Sequence, residues 1–122
     1  MHYVRVYDDA TGASRFADIE VTMTLGDFAP PAPPLNTSPS MPASQVFFLS
    51  LPAEWDGDWH PTPRRQFFAV LRGSMEVEVG DGEVRRIGQG DVVLLDDTTG
   101  RGHRTTNLAG EETFLLMVQT PD

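Results

Sequence analysis

The sequence predicts an all-β fold, a sandwich or barrel of eight or nine short strands, on three observations. Apolar residues recur with period two along most of the chain. No window carries the i, i+3, i+4 stripe of an amphipathic helix. Glycine and proline, 11 and 10 of 122 residues, interrupt the chain too often for any long helix.

Taken in order, residues 3–7 open the series. Ala17, Ile19, Val21, Met23 and Leu25 alternate with polar neighbours and predict one half-buried strand over 17–25. Residues 46–51, 66–71, 91–95 and 113–119 are apolar at both parities and read as strands buried on both faces. Met75, Val77 and Val79 alternate again, meet the turn Gly80-Asp81-Gly82, and return through 83–87 as a hairpin. One stretch breaks the pattern: residues 29–42 hold six of the ten prolines. Proline fixes φ and lacks the N–H that a sheet ladder needs, so this is an extended arm. It reads as a stiff loop wrapped over the barrel, ahead of an arm exchanged across a dimer or a ligand for an SH3-like groove.

The length fits a single domain spanning 1–122. Cysteine is absent, which removes disulfides, thiol nucleophiles and thiolate ligands. All nine basic residues are arginine, so Schiff-base and Walker-type lysine chemistry are excluded. A formal charge of -9 argues against nucleic acid and against anionic membranes as partners. The apolar runs are too short to cross a bilayer, and Met1-His2-Tyr3-Val4-Arg5 has no apolar signal core. The expectation is a cytoplasmic protein. No Gly-x-Ser-x-Gly elbow, phosphate loop or dinucleotide fingerprint occurs.

The candidate chemistry lies at two of the three histidines. His60 precedes the strand at 66–71, and His103 follows the strand at 91–95 across a loop holding Asp96, Asp97, Gly100 and Gly102. A histidine at a strand edge can be a metal ligand, a general base or a packed aromatic, and one taken alone does not decide among them.

The spacing across both stretches resembles the two motifs of the cupin superfamily. His60 takes the first histidine position and Gly73 closes the first motif, while Gly90, Gly100, His103 and Asn107 fit the second. The resemblance covers residues 45–119 and implies a double-stranded β-helix, a jelly-roll barrel with one interior pocket. The run from Gly90 to His103 is similar to a subset of small bacterial single-barrel cupins.

The departures bear on function. Thr62 stands where the family has its second metal-binding histidine, Gln66 where it has its glutamate, and Asp96 where it has a proline; the loop to His103 is two residues longer. The resemblance implies three imidazoles and one carboxylate around Fe, Mn, Ni or Zn. Here two imidazoles and a neutral amide remain, so the expectation is no cofactor or a weakly held divalent transition metal on His60, Gln66 and His103. Three functions stay open: a metal-free isomerase or lyase with His60 and His103 as acid–base residues, a non-catalytic metabolite-binding barrel, or a metal-dependent dioxygenase. In the first, Asp96 or Asp97 orients an imidazole. Trp55 and Trp59 are candidate pocket walls and Thr62 a pocket residue; Arg64 and Arg65 are candidate anion ligands at the mouth. The doubly apolar strands 66–71 and 114–118 predict a homodimer that covers the outer sheet face.

Overall fold

The computed structural model describes residues 1–108 and 110–121, and among them there is no helix. Eleven strands form: β1 (His2–Asp8), β2 (Ser14–Glu20), β3 (Thr24–Gly26), β4 (Leu35–Thr37), β5 (Gln45–Leu51), β6 (Gln66–Arg72), β7 (Ser74–Glu78), β8 (Val84–Gly88), β9 (Val92–Asp96), β10 (Arg104–Asn107) and β11 (Thr113–Gln119). Six make one sheet in the order β2-β1-β9-β6-β11-β5; β10, β7 and β8 make a second. Residues 55–60 extend the second sheet beyond β10, with bridges Asp56 to Thr106 and His60 to His103.

The period-two pattern states the inward face of β7. Strands β6 and β11, apolar at both parities and expected buried on both faces, bury one face and leave Leu71 and Phe114 exposed on the other. Phe68 and Val70 of β6, Leu115 and Met117 of β11, and Met75 and Val77 of β7 are all buried in the core between the sheets. Gly73 turns β6 into β7 at φ +94, and a Cβ there would collide with the Thr113 hydroxyl. Asn107 ties the far ends together. Its Nδ2 donates to the carbonyls of Leu51, Pro52 and Glu111, and its Oδ1 accepts from the Thr113 hydroxyl. The second-motif asparagine is therefore a structural clamp.

Three further expectations need correction. The alternation over 17–25 is split: β2 ends at Glu20 opposite His2, with one further bond from the Val21 N–H to the Met1 carbonyl, and residues 24–25 fall in β3. Residues 46–51 are not buried on both faces. They form the edge strand β5, bonded on one side to β11, with Val46 and Phe48 63% and 76% exposed. Nor does the proline-rich arm wrap the barrel closely. It carries only the short ribbon of β3 and β4, and residues 22–48 are all exposed. Strand β10 was hidden because Arg104-Thr105-Thr106-Asn107 has no apolar residue to reveal its period.

Candidate functional site

A cavity of about 280 Å³ lies between the two sheets, near the end where residues 60–66 meet the loop before His103. Inner-facing residues of five strands supply an apolar wall that includes Leu49, Phe68, Val77, Leu95 and Leu115. The polar part comprises His60, Thr62, Gln66, His103, Thr105 and Gln119; among the described residues no Asp, Glu or Arg lines the cavity. The structure thus brings His60, Thr62, Gln66 and His103 to one place.

Backbone pairing fixes the two histidines. His60 and His103 exchange both N–H to C=O bonds at 3.0 Å, which sets their side chains on the same face with ring centroids 4.9 Å apart. The bridge needs Gly102: a Cβ there would overlap the His60 carbonyl and the Pro61 nitrogen, and its φ is +81. The same loop rests on the β1–β2 turn. Thr99 donates to Asp8 through its backbone N–H and its hydroxyl, and Ser14 donates to the Gly102 carbonyl. Arg104 holds the segment at 55–60 through both oxygens of Asp56, whose carboxyl that guanidinium keeps below its ordinary range.

His103 is nearly buried, and its Nδ1 lies 2.6 Å from Oδ2 of the fully buried Asp97. Among the described residues Oδ1 of Asp97 has no hydrogen-bond partner, so the imidazole on Oδ2 is the side-chain partner of that carboxyl group. His60 Nδ1 lies 2.8 Å from the Asp58 carbonyl. A carbonyl can only accept, so this Nδ1 carries its proton. A carboxylate imposes the same tautomer on His103. In the neutral imidazoles both Nε2 atoms are then lone-pair acceptors.

The neighbouring amide and hydroxyl satisfy one another. Gln66 Nε2 donates to the Thr62 hydroxyl at 3.0 Å, that hydroxyl donates to the Arg64 carbonyl, and Gln119 donates to Gln66 Oε1. This bears on the metal that the fold resemblance implies. Among the described residues no three His, Cys, Asp or Glu side chains come together as a metal-binding group. The donor set is two imidazoles and an amide already engaged by two neighbours, without a carboxylate to offset a divalent charge. A tightly held resident metal does not fit these residues.

Other expected site residues fall elsewhere. Asp96 is not in the cavity: its parity on β9 opposes that of Leu95, and it pairs with Arg5 at 2.7 Å and Arg65 at 3.4 Å. Asp97, one residue on, is the orienting carboxylate. Arg64 is exposed and does not line the cavity. Trp59 does not line it either; the Arg101 guanidinium stacks on its ring at 3.9 Å. Trp55 is the indole in the wall, lying so close across Gly57 that a Cβ there would strike the ring. Sequence reasoning missed Gln119, although its parity with Leu115 and Met117 marked it as inward-facing.

Comparison with known proteins agrees with this geometry. A family model described as a cupin domain matches residues 47–119. The fold is similar to the cupin domain of Cnp3 from Schizosaccharomyces pombe at TM-score 0.53, with 14% identity over 100% of this chain and 83% of that one. It is also similar to protein NMB1881 from Neisseria meningitidis at TM-score 0.50, with 15% identity over 81% of this chain and 82% of that one. At these identities the likeness speaks for the fold alone. No curated protein matches the chain.

Proposed function

The chain belongs to the cupin family, and from that premise we propose that it is a metal-independent enzyme of isomerase or lyase type, acting on a small molecule held in the inter-sheet cavity. The observation that carries this reading is the buried Asp97–His103 pair beside the cavity. His103 Nε2 takes a proton from an O–H or activated C–H of the bound molecule. Asp97 stabilises the imidazolium, which returns the proton to a second atom of the same molecule. His60 Nε2, exposed at the mouth, positions the substrate. The expected cellular place is the cytoplasm. Deuterium incorporation from D2O into neutral aryl ketones that carry a phenolic hydroxyl, followed by NMR, tests this directly. Asp97→Asn should slow incorporation by about 10²-fold or more, since an amide no longer fixes the tautomer or balances the imidazolium. Equal rates in parent and Asp97→Asn would overturn the acid–base role.

The predominance of apolar side chains in the lining favours a second reading, a non-catalytic metabolite-binding barrel. Retention of a small molecule through purification, with no deuterium incorporation into any ketone, would select it.

The partner we propose is a second copy of the chain. The outer side of the six-stranded sheet carries Val46, Phe48, Leu71 and Phe114, Met41 of the arm lies over that side near Phe67 and Val118, and Leu25, Phe28 and Leu35 are further apolar side chains, all exposed. Together they present on the order of 800 Å² of apolar side chain, one partner's contribution to a standard-size interface. The open edge of β5 lies within the same patch. Sedimentation equilibrium should give twice 13.5 kDa for the parent and a lower mass for Phe48→Glu. A monomeric parent at micromolar concentration would exclude the pairing.

A further inference from the structure

We infer that the cavity is built for a neutral, largely apolar molecule carrying one hydrogen-bond-donating head, a phenol-like or enol-like hydroxyl. Charged and polyhydroxylated ligands, including sugars and their phosphates, do not match it. The inference rests on the small-molecule reading above and names the class of ligand.

Three features of the cavity carry it. First, among the described residues its wall holds no arginine and no carboxylate. An anionic ligand would therefore leave water without a permanent counter-charge, and a cationic one would fare no better, which is costly in so apolar a surround. The arginines nearest in sequence are employed elsewhere or point away. Arg65 pairs with Asp96, Arg101 stacks on Trp59, and Arg64 is exposed outside the lining.

Second, the polar groups are few and mostly satisfied. Thr62, Gln66 and Gln119 form one chain of hydrogen bonds with the Arg64 carbonyl. A ring of hydroxyls would have to break these bonds or bury its own groups against Phe68, Val77, Leu95 and Leu115.

Third, the two imidazoles present acceptors, while the donors that remain in the lining are the Thr105 hydroxyl and the second N–H of Gln66 and of Gln119. Each imidazole has its Nδ1 engaged, His60 with the Asp58 carbonyl and His103 with Asp97, so the neutral rings offer two Nε2 acceptors and no donor. The two rings stand side by side in the lining, centroids 4.9 Å apart, so a ligand O–H or N–H meets an acceptor at either ring. A ligand whose polar end only accepts leaves both unmet. The cavity volume, about 280 Å³, suits a single ring or a short branched chain.

The test is calorimetric titration of the full chain with three probes of nearly equal size: para-cresol, para-methylanisole and para-methylbenzoate, with glucose as a fourth. We expect para-cresol, neutral in neutral buffer, to bind at least about tenfold more tightly than the anisole, which lacks only the donor, and than the benzoate, while glucose gives no heat. In His60→Phe, whose exposed side chain is not needed for packing, the preference for phenol over anisole should shrink several-fold while anisole binding persists. His103→Gln repeats the measurement at the other ring. Tighter binding of benzoate or glucose, or equal binding of phenol and anisole, would overturn the proposed class while leaving a small-molecule cavity in place. No binding by any probe would overturn the small-molecule reading itself.

Discussion

Replacing Gly102 with alanine is expected to destabilise the protein by at least about 4 kcal/mol, the largest single loss anticipated outside the core. Two penalties combine there. The residue sits at φ +81, where an L side chain is strained by about 1–2 kcal/mol. The new methyl also falls on the His60 carbonyl and the Pro61 nitrogen, backbone atoms held by the His60–His103 bridge and unable to yield as a flexible side chain would. Gly82 isolates the first term. Its φ is +91, yet nothing lies within 4 Å of an added Cβ, so Gly82→Ala should lose only about 1–2 kcal/mol. Urea unfolding of the two variants compares them. Similar midpoints would mean that the close approach of Gly102 to the His60 backbone is not a constraint.

The second large effect is a gain. The double substitution Thr62→His and Gln66→Glu is expected to raise Ni or Zn affinity by about two orders of magnitude over the parent. Both positions line the cavity with His60 and His103 and already touch each other at 3.0 Å, so the new imidazole and carboxylate would join the two existing rings. The Gln119 amide, now donating to Gln66 Oε1, would remain to orient the new carboxylate. The parent should bind weakly and release the ion on dialysis against a mild chelator. Superimposable metal titrations of parent and double variant would show that the four positions do not converge on one ion. A parent that withstands the chelator would return His60, Gln66 and His103 to the status of a working metal site.

Much of the site was legible because motif spacing reports backbone geometry. The interval from Gly100 to His103 to Asn107 matches the family's motif, and along it the structure has a positive-φ glycine, a buried imidazole and a buried asparagine in succession. Parity would have settled more than was drawn from it. The alternation that turns Val93 and Leu95 inward also turns Asp97 inward and Asp96 outward, so the choice of orienting carboxylate was already encoded. Trp55 and Trp59 are different. Both stand in an irregular segment, where no period applies and only the packing against Gly57 and Arg101 separates their roles.

The sequence by itself determined the all-β class, the inward face of the alternating hairpin strand at 75–79 and, through its resemblance to the cupin motifs, the two histidines with Thr62 and Gln66 at the family's ligand positions, because each follows from side-chain identity, spacing and local period. The tertiary structure alone decided that residues 46–51 are an edge, that the arm stands exposed, and that Thr62, Gln66 and Gln119 satisfy one another and leave two Nε2 acceptors facing the cavity. The physical reason is range. A strand's burial depends on whether it has one neighbour or two, and a polar group's availability depends on partners that can lie more than fifty residues away. Neither quantity is written in the pattern of adjacent residues.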